Sequence, residues 1–144
     1  MASKGRKKLK YRELKNKEMG LKRFVNSFKN SFDGLRYAYT HEQSFLIHIV
    51  LTIVVVATGI YFEIRGTHWV LVLLAMSLII VTELLNTAIE SVVDLVTDEF
   101  HPLAKVAKDC ASAAVFVVSL IATCIWLYVF LPKFILLFFW GELC

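Results

Sequence analysis

Residues able to do chemistry concentrate in this 144-residue sequence where they are least expected, inside an apolar run. Between Val81 and Asp94, the polar residues Glu83, Asn86, Thr87, Glu90 and Asp94 interrupt leucine, isoleucine and valine. At about 100° per helical residue they fall at about 0°, −60°, 40°, −20° and 20°. They share one stripe, and Leu84, Leu85, Val92 and Val93 lie outside it. Carboxylates in a membrane-length helix are costly and mark functional sites by default.

Such carboxylates, an amide and a nearby basic loop suit a metal-bound polyphosphate meeting a hydroxyl in the membrane. Magnesium takes oxygen ligands and often uses one or two carboxylates plus substrate phosphates. A separate carboxylate in a partly apolar site suits a general base. Phosphoryl transfer needs little beyond positioning and charge neutralisation. Lys108 and Arg23 are the cations available to phosphates. No Walker A motif or glycine-rich loop is present, so a nucleotide site here has to be unconventional. The residue types alone leave three readings open: an enzyme, a non-enzymatic acidic carrier or channel, and a structural bundle.

The elements that must position these residues are helices of membrane length. The composition is 58% hydrophobic with a mean hydropathy of +0.64, too apolar for an ordinary soluble domain. The expected fold class is all-α: an integral membrane protein with three transmembrane helices and an N-terminal amphipathic surface helix. Residues 1–20 read as a basic flexible tail. Leu21, Phe24, Val25, Phe28, Phe32 and Leu35 fall within about 100° of arc, which predicts a surface helix over 21–36, with Gly34 loosening its end. Residues 21–131 form the membrane domain, with spans over about 43–62, 69–96 and 111–131. Pro132 is expected to end the last span and leave 132–144 as an interfacial apolar tail. Pro102 suits the first turn of a helix that begins after a polar loop.

Depth arithmetic divides the stripe. Glu83 lies about 21 Å along the axis from Trp69 and Glu90 about 31 Å. In a hydrocarbon core of about 30 Å, Glu83 is inside the leaflet and Glu90 is at its edge. His48 lies within the first span, where a histidine is ordinarily satisfied by a neighbouring hydrogen bond.

Twelve of the sixteen Lys and Arg residues precede residue 37. With so apolar a bulk behind them they point to an anionic membrane surface and not to nucleic acid. The same asymmetry places the N-terminus in the cytoplasm and, after three spans, the C-terminus outside. Cys110, Cys124 and Cys144 show no zinc spacing, and no structural disulfide is expected. A cleavable signal peptide is not expected either, because the first 40 residues lack an apolar core.

Glu83-Leu84-Leu85-Asn86-Thr87-Ala88-Ile89-Glu90-Ser91-Val92-Val93-Asp94, followed by Glu99-Phe100-His101 and Ala107-Lys108-Asp109, resembles the prokaryotic diacylglycerol kinase family. The resemblance runs from about Arg23 to Val118. It implies a small homotrimeric lipid kinase of the bacterial plasma membrane that uses Mg2+ and takes ATP as phosphoryl donor. By position, Glu83 matches the catalytic base, and Glu42 and Glu90 match the metal-binding carboxylates. Arg23, Glu42, Asn86, Glu90, Asp94, Glu99, Phe100, His101, Lys108 and Asp109 match the ATP-binding set. Phe45, His48 and Ser112 match lipid-substrate positions. Asn30 stands where the diacylglycerol branch has an aromatic residue. The spacing from Glu42 to His48 and the run His101-Pro102-Leu103-Ala104-Lys105 are similar to the Gram-positive branch. That branch phosphorylates undecaprenol, which is therefore the expected lipid alcohol, with diacylglycerol as the alternative.

Overall fold

The computed structural model describes residues 20–141, with side chains to residue 139. Apart from Gly20, the expected basic tail lies outside the described residues, as does Cys144. Among the described residues every regular element is a helix: α1 Leu21–His41, α2 Gln43–Tyr61, α3 Thr67–Val96 and α4 Pro102–Gly141. The expected all-α class holds. Three of the helices, α2, α3 and α4, are long and apolar enough to cross a membrane.

The chain falls into two compact units, up to Tyr37 and from Ala38 onward. In the first, α1 exposes Leu21, Phe24, Phe28 and Phe32. The rings of Phe24 and Phe28 meet edge to face at 4.9 Å. The helix does not loosen at Gly34; it continues to His41. One glycine costs about 1 kcal/mol in a helix interior, too little to break a run of good backbone hydrogen bonds. The break comes at Glu42, whose backbone is extended (φ −112°, ψ 110°).

In the second unit α3 packs mainly on α4 and more lightly on α2. Ile64, Val72, Ala75, Met76 and Ile79 meet Ala122, Val129 and Phe130 in one buried cluster. The buried positions of α3 recur every three or four residues: Val72, Ala75, Met76, Ile79, Glu83, Asn86 and Thr87. That is the helical period of a single face, and it turns from apolar to polar at Glu83. Elsewhere in the spans, hydroxyl side chains bond back to their own helix. Thr52 donates to His48 O at 2.8 Å, Ser77 to Leu73 O at 2.7 Å and Thr82 to Leu78 O at 2.7 Å. Hydrocarbon offers no other partner.

The turn between α2 and α3 is closed by a Schellman arrangement. Glu63 N–H donates to Ile60 O at 3.1 Å and Ile64 N–H to Gly59 O at 3.0 Å, with Glu63 left-handed at φ 49°. Gly66, at φ 54°, starts α3. Ile64 folds back over Gly59, against which Trp69 also stacks.

A second expectation needs correction: Pro132 does not end the helix of the third span. Helix α4 passes through Pro132 to Gly141. Packing on both sides of the proline holds it. Phe130 is fully buried, Phe134 meets Phe62 edge to face at 4.8 Å, and Lys133 Nζ donates to Phe62 O at 3.2 Å. Those contacts offset the hydrogen bond that a proline cannot make. The stretch 132–141 is therefore helix continuous with the span.

A Cβ added at Gly59 would lie 2.9 Å from the Trp69 ring and 3.1 Å from Ile64 Cδ1. Gly59→Leu should therefore cost about 1–3 kcal/mol through overpacking. Gly34→Ala, whose Cβ meets nothing, should leave stability unchanged or raise it. Equilibrium unfolding in detergent micelles measures both, and equal effects at the two glycines would contradict the packing described.

Candidate active site

Glu83 is the most deeply placed charged side chain of the stripe, 2% exposed. The same period that buries Val72 to Ile79 against α4 carries Glu83 inward. An ionised carboxylate in such surroundings needs partners, and α2 supplies them. His48 Nε2 lies 3.1 Å from Glu83 Oε1. Ser44 Oγ donates to Glu83 Oε2 at 3.3 Å. Both oxygens are thus held by side chains one helical turn apart. Thr87 Oγ1 donates to the Glu83 backbone carbonyl at 3.1 Å.

One turn further along α3, Asn86 Nδ2 donates to Glu90 Oε1 at 3.0 Å. The amide is fixed by that bond, and its Oδ1 is buried without a partner. Glu42 stands at the junction before α2, in the N-cap position, yet its side chain makes no cap hydrogen bond. Burial raises its carboxyl above the ordinary carboxylate range, and the nearby negative charges of Glu90 and Glu83 raise it further, against a smaller opposing effect of His41. Glu42 therefore senses both Glu90 and Glu83 of α3. This concentration of negative charge calls for a cation. Among the described residues no group of three or more His, Cys, Asp or Glu is spaced to hold a metal ion by itself.

Past the end of the stripe the chain opens a cleft of about 540 Å³, lined among others by Asp94, Glu99, Phe100, His101, Lys108 and Asp109. Six residues of the expected nucleotide set thus share one cavity. Lys108 Nζ lies 2.6 Å from Asp94 Oδ1 and within electrostatic reach of Glu90. Lys105 pairs with Asp109 one turn away. His101 has a structural task as well. Its Nδ1 accepts the Leu103 N–H at 3.2 Å, which caps α4 just before Pro102. The Thr97 hydroxyl and Glu99 backbone bond each other reciprocally at 3.1 and 3.2 Å and tighten the connecting turn.

Not every expected residue joins these two groups. Arg23 is exposed on α1, in the other compact unit, where its carbonyl accepts from Ser27 Oγ at 2.9 Å. Phe45 is buried at 2% exposure. Ser112 is exposed on α4 and is not among the residues lining the cleft. His48 lines a second cavity of about 240 Å³, mostly apolar, with Leu51, Val55, Met76, Ile79 and Trp126 among its walls. Ser44 escaped the sequence reading. The signal was there: Ser44, His48 and Thr52 recur every four residues along α2 and form a polar row in an apolar helix.

Residues 29–130 match the family model described as prokaryotic diacylglycerol kinase. The chain is 41% identical over 113 residues to an undecaprenol kinase of Bacillus subtilis (strain 168), covering 78% of this chain and 92% of that protein. It is 38% identical over 114 residues to a diacylglycerol kinase of Helicobacter pylori (strain ATCC 700392 / 26695), covering 79% and 89%. A diacylglycerol kinase of Escherichia coli (strain K12) is 32% identical over 111 residues, covering 77% and 91%.

Proposed function

The chain belongs to the prokaryotic diacylglycerol kinase family, and from that premise we propose that it transfers the γ-phosphoryl group of ATP to the hydroxyl of undecaprenol. The observation that carries the reading is the position of Glu83. It is a carboxylate buried inside a membrane-length helix and held at both oxygens, on the helix that leads directly to an open cleft with lysines and acidic groups. Glu83 and Asp94 are 11 residues apart, about 16 Å along α3. One helix thus links a lipid-depth group to a cleft fit for a nucleotide.

In the proposed reaction the lipid hydroxyl attacks the γ-phosphorus, and Glu83 accepts its proton. A bond forms between the lipid oxygen and phosphorus, and the bond to the β–γ bridging oxygen breaks, releasing ADP. Lys108 leaves Asp94 to pair with phosphate oxygens. Asp94, Glu99, Phe100, His101 and Asp109 line the nucleotide cleft. Glu42 and Glu90 would hold Mg2+, and the carbonyl oxygen of Asn86 would be a further donor. When bound, the ion neutralises charge on the phosphates. The unspent side chain of Glu42 and the unpartnered Asn86 Oδ1 support this assignment.

Phe45 and Ser112 belong to the lipid side of the site in this proposal, and the apolar cavity that His48 borders gives a chain room beside the reacting hydroxyl. The proposal includes a homotrimer in the bacterial plasma membrane, N-terminus cytoplasmic and C-terminus outside, with sites completed between copies. Broad apolar faces exposed on α2, α3 and α4 suit contact with lipid, and the trimer rests on the family resemblance. The Bacillus subtilis relative supports undecaprenol as the lipid. Diacylglycerol is the second reading, supported by the relatives named for it.

Purified protein in lipid vesicles, given labelled ATP and either alcohol, should label undecaprenol in preference to diacylglycerol. The reverse preference would establish the second reading, and no labelled lipid would return the chain to the acidic carrier or channel class. Glu83→Gln keeps the shape and removes the base, so turnover should fall about 10²–10⁴-fold. Lys108→Gln should raise the KM for ATP about tenfold or more, the cost of one charge-assisted hydrogen bond, with a smaller change in kcat. An unchanged KM would remove Lys108 from the nucleotide site.

A further inference from the structure

The geometry points to His48 as a positioning residue for Glu83. We propose that it orients the carboxylate and keeps it ready to accept a proton, acting on the lipid only through Glu83. This rests on the reading of Glu83 as the base. His48 Nε2 holds Oε1 at 3.1 Å while Ser44 Oγ holds Oε2 at 3.3 Å. Two anchors on one helix face fix the plane of the carboxylate. A carboxylate has about four lone-pair sites, so the lipid hydroxyl is accepted as a third donor without breaking either anchor.

The charge balance favours His48 over any other group for this task. From α3 itself, the uncharged Thr87 bonds only the Glu83 backbone carbonyl, and the uncharged Asn86 bonds Glu90. At the start of α2, Glu42 brings a like charge within electrostatic reach of Glu83. His48 is the group in hydrogen-bond contact with Glu83 that can carry positive charge. Its imidazole is about one-fifth exposed. Its other side faces the apolar cavity lined by Leu51, Met76 and Trp126, where water has few polar partners. A hydrogen bond there is stronger than in water because the local dielectric is low. The backbone carbonyl of His48 accepts from Thr52, so the polar row Ser44, His48 and Thr52 is one hydrogen-bonded face.

Positioning and lipid contact predict different kinetics. The experiment measures kcat and both KM values for wild type, His48→Ala, His48→Gln, Glu83→Gln and the double variant His48→Ala/Glu83→Gln. All are full-length proteins in vesicles containing undecaprenol. His48→Ala should lower kcat about 10²-fold, the scale expected when a reacting group is misplaced by about 1 Å, with both KM values within about twofold. His48→Gln keeps an N–H donor of similar reach and should recover about tenfold of that loss. The double variant should be no slower than Glu83→Gln alone, because residues that act as a unit are not additive.

Recovery by the glutamine variant separates this role from simple misfolding of the alanine variant. Full kcat in both His48 variants beside an inactive Glu83→Gln enzyme would falsify the positioning role and leave the base assignment standing. A raised KM for the lipid at unchanged kcat would make His48 a substrate contact and overturn the proposal. Near-full kcat in Glu83→Gln would overturn the base assignment and this proposal with it.

Discussion

The structure depends on keeping a carboxylate inside a helix built to lie in hydrocarbon. An isolated ionised group at that depth is expensive, and the cost falls only when it is paired and hydrogen-bonded. Glu83 is held at both oxygens by Ser44 and His48 of α2, while its own helix packs on α4 through the apolar residues before it. Helix α2 therefore does more than span. It meets the carboxylate of α3 with Ser44 and His48, and most of the rest of the helix is apolar. The light packing between α2 and α3 fits that division, since polar contacts replace part of the apolar seam.

A second constraint follows from the single face of α3. Val72, Ala75, Met76 and Ile79 bury apolar surface against α4, and the same face continues as Glu83, Asn86 and Thr87. Core and candidate site are one stripe, read at two depths. A rotation of α3 that exposed Glu83 would also withdraw Val72 and Ile79 from α4. Packing in the apolar half thus aims the functional half, and the tight seat of Gly59 against Trp69 and Ile64 sets where that helix begins.

Much of this was legible in the sequence because helical periodicity and hydropathy are local properties. The spans, the stripe and the first-turn place of Pro102 follow from spacing within one segment. Four features do not. Pro132 signals a stop by its missing N–H, but contacts with Phe62, distant in sequence, carry α4 through it. Gly34 similarly suggests a weak point that the helix of α1 overrides. The pairing of Ser44 and His48 with Glu83 joins residues up to 39 positions apart, and spacing along one helix shows only that a polar row exists. What that row faces is a tertiary fact. The cleft at Asp94 and Lys108 is likewise assembled by the turn between α3 and α4, whose bonds involve Thr97, Glu99 and His101.

The two carboxylate environments along α3 also explain why one helix can hold groups with opposite needs. A proton acceptor works best away from water, with its charge offset by a partner that does not consume its lone pairs. Serine and histidine meet that need, because each occupies one lone pair and neither forms the bidentate clamp of an arginine. A group that meets polyphosphate and cation needs the opposite: access to solvent and an excess of negative charge. Glu90 lies about 10 Å further along the axis than Glu83. It is half-buried, hydrogen-bonded by Asn86, and shares its field with Glu42 and Lys108. Two turns of helix pass from the first environment to the second, and in the proposed function the edge of the hydrocarbon lies between them.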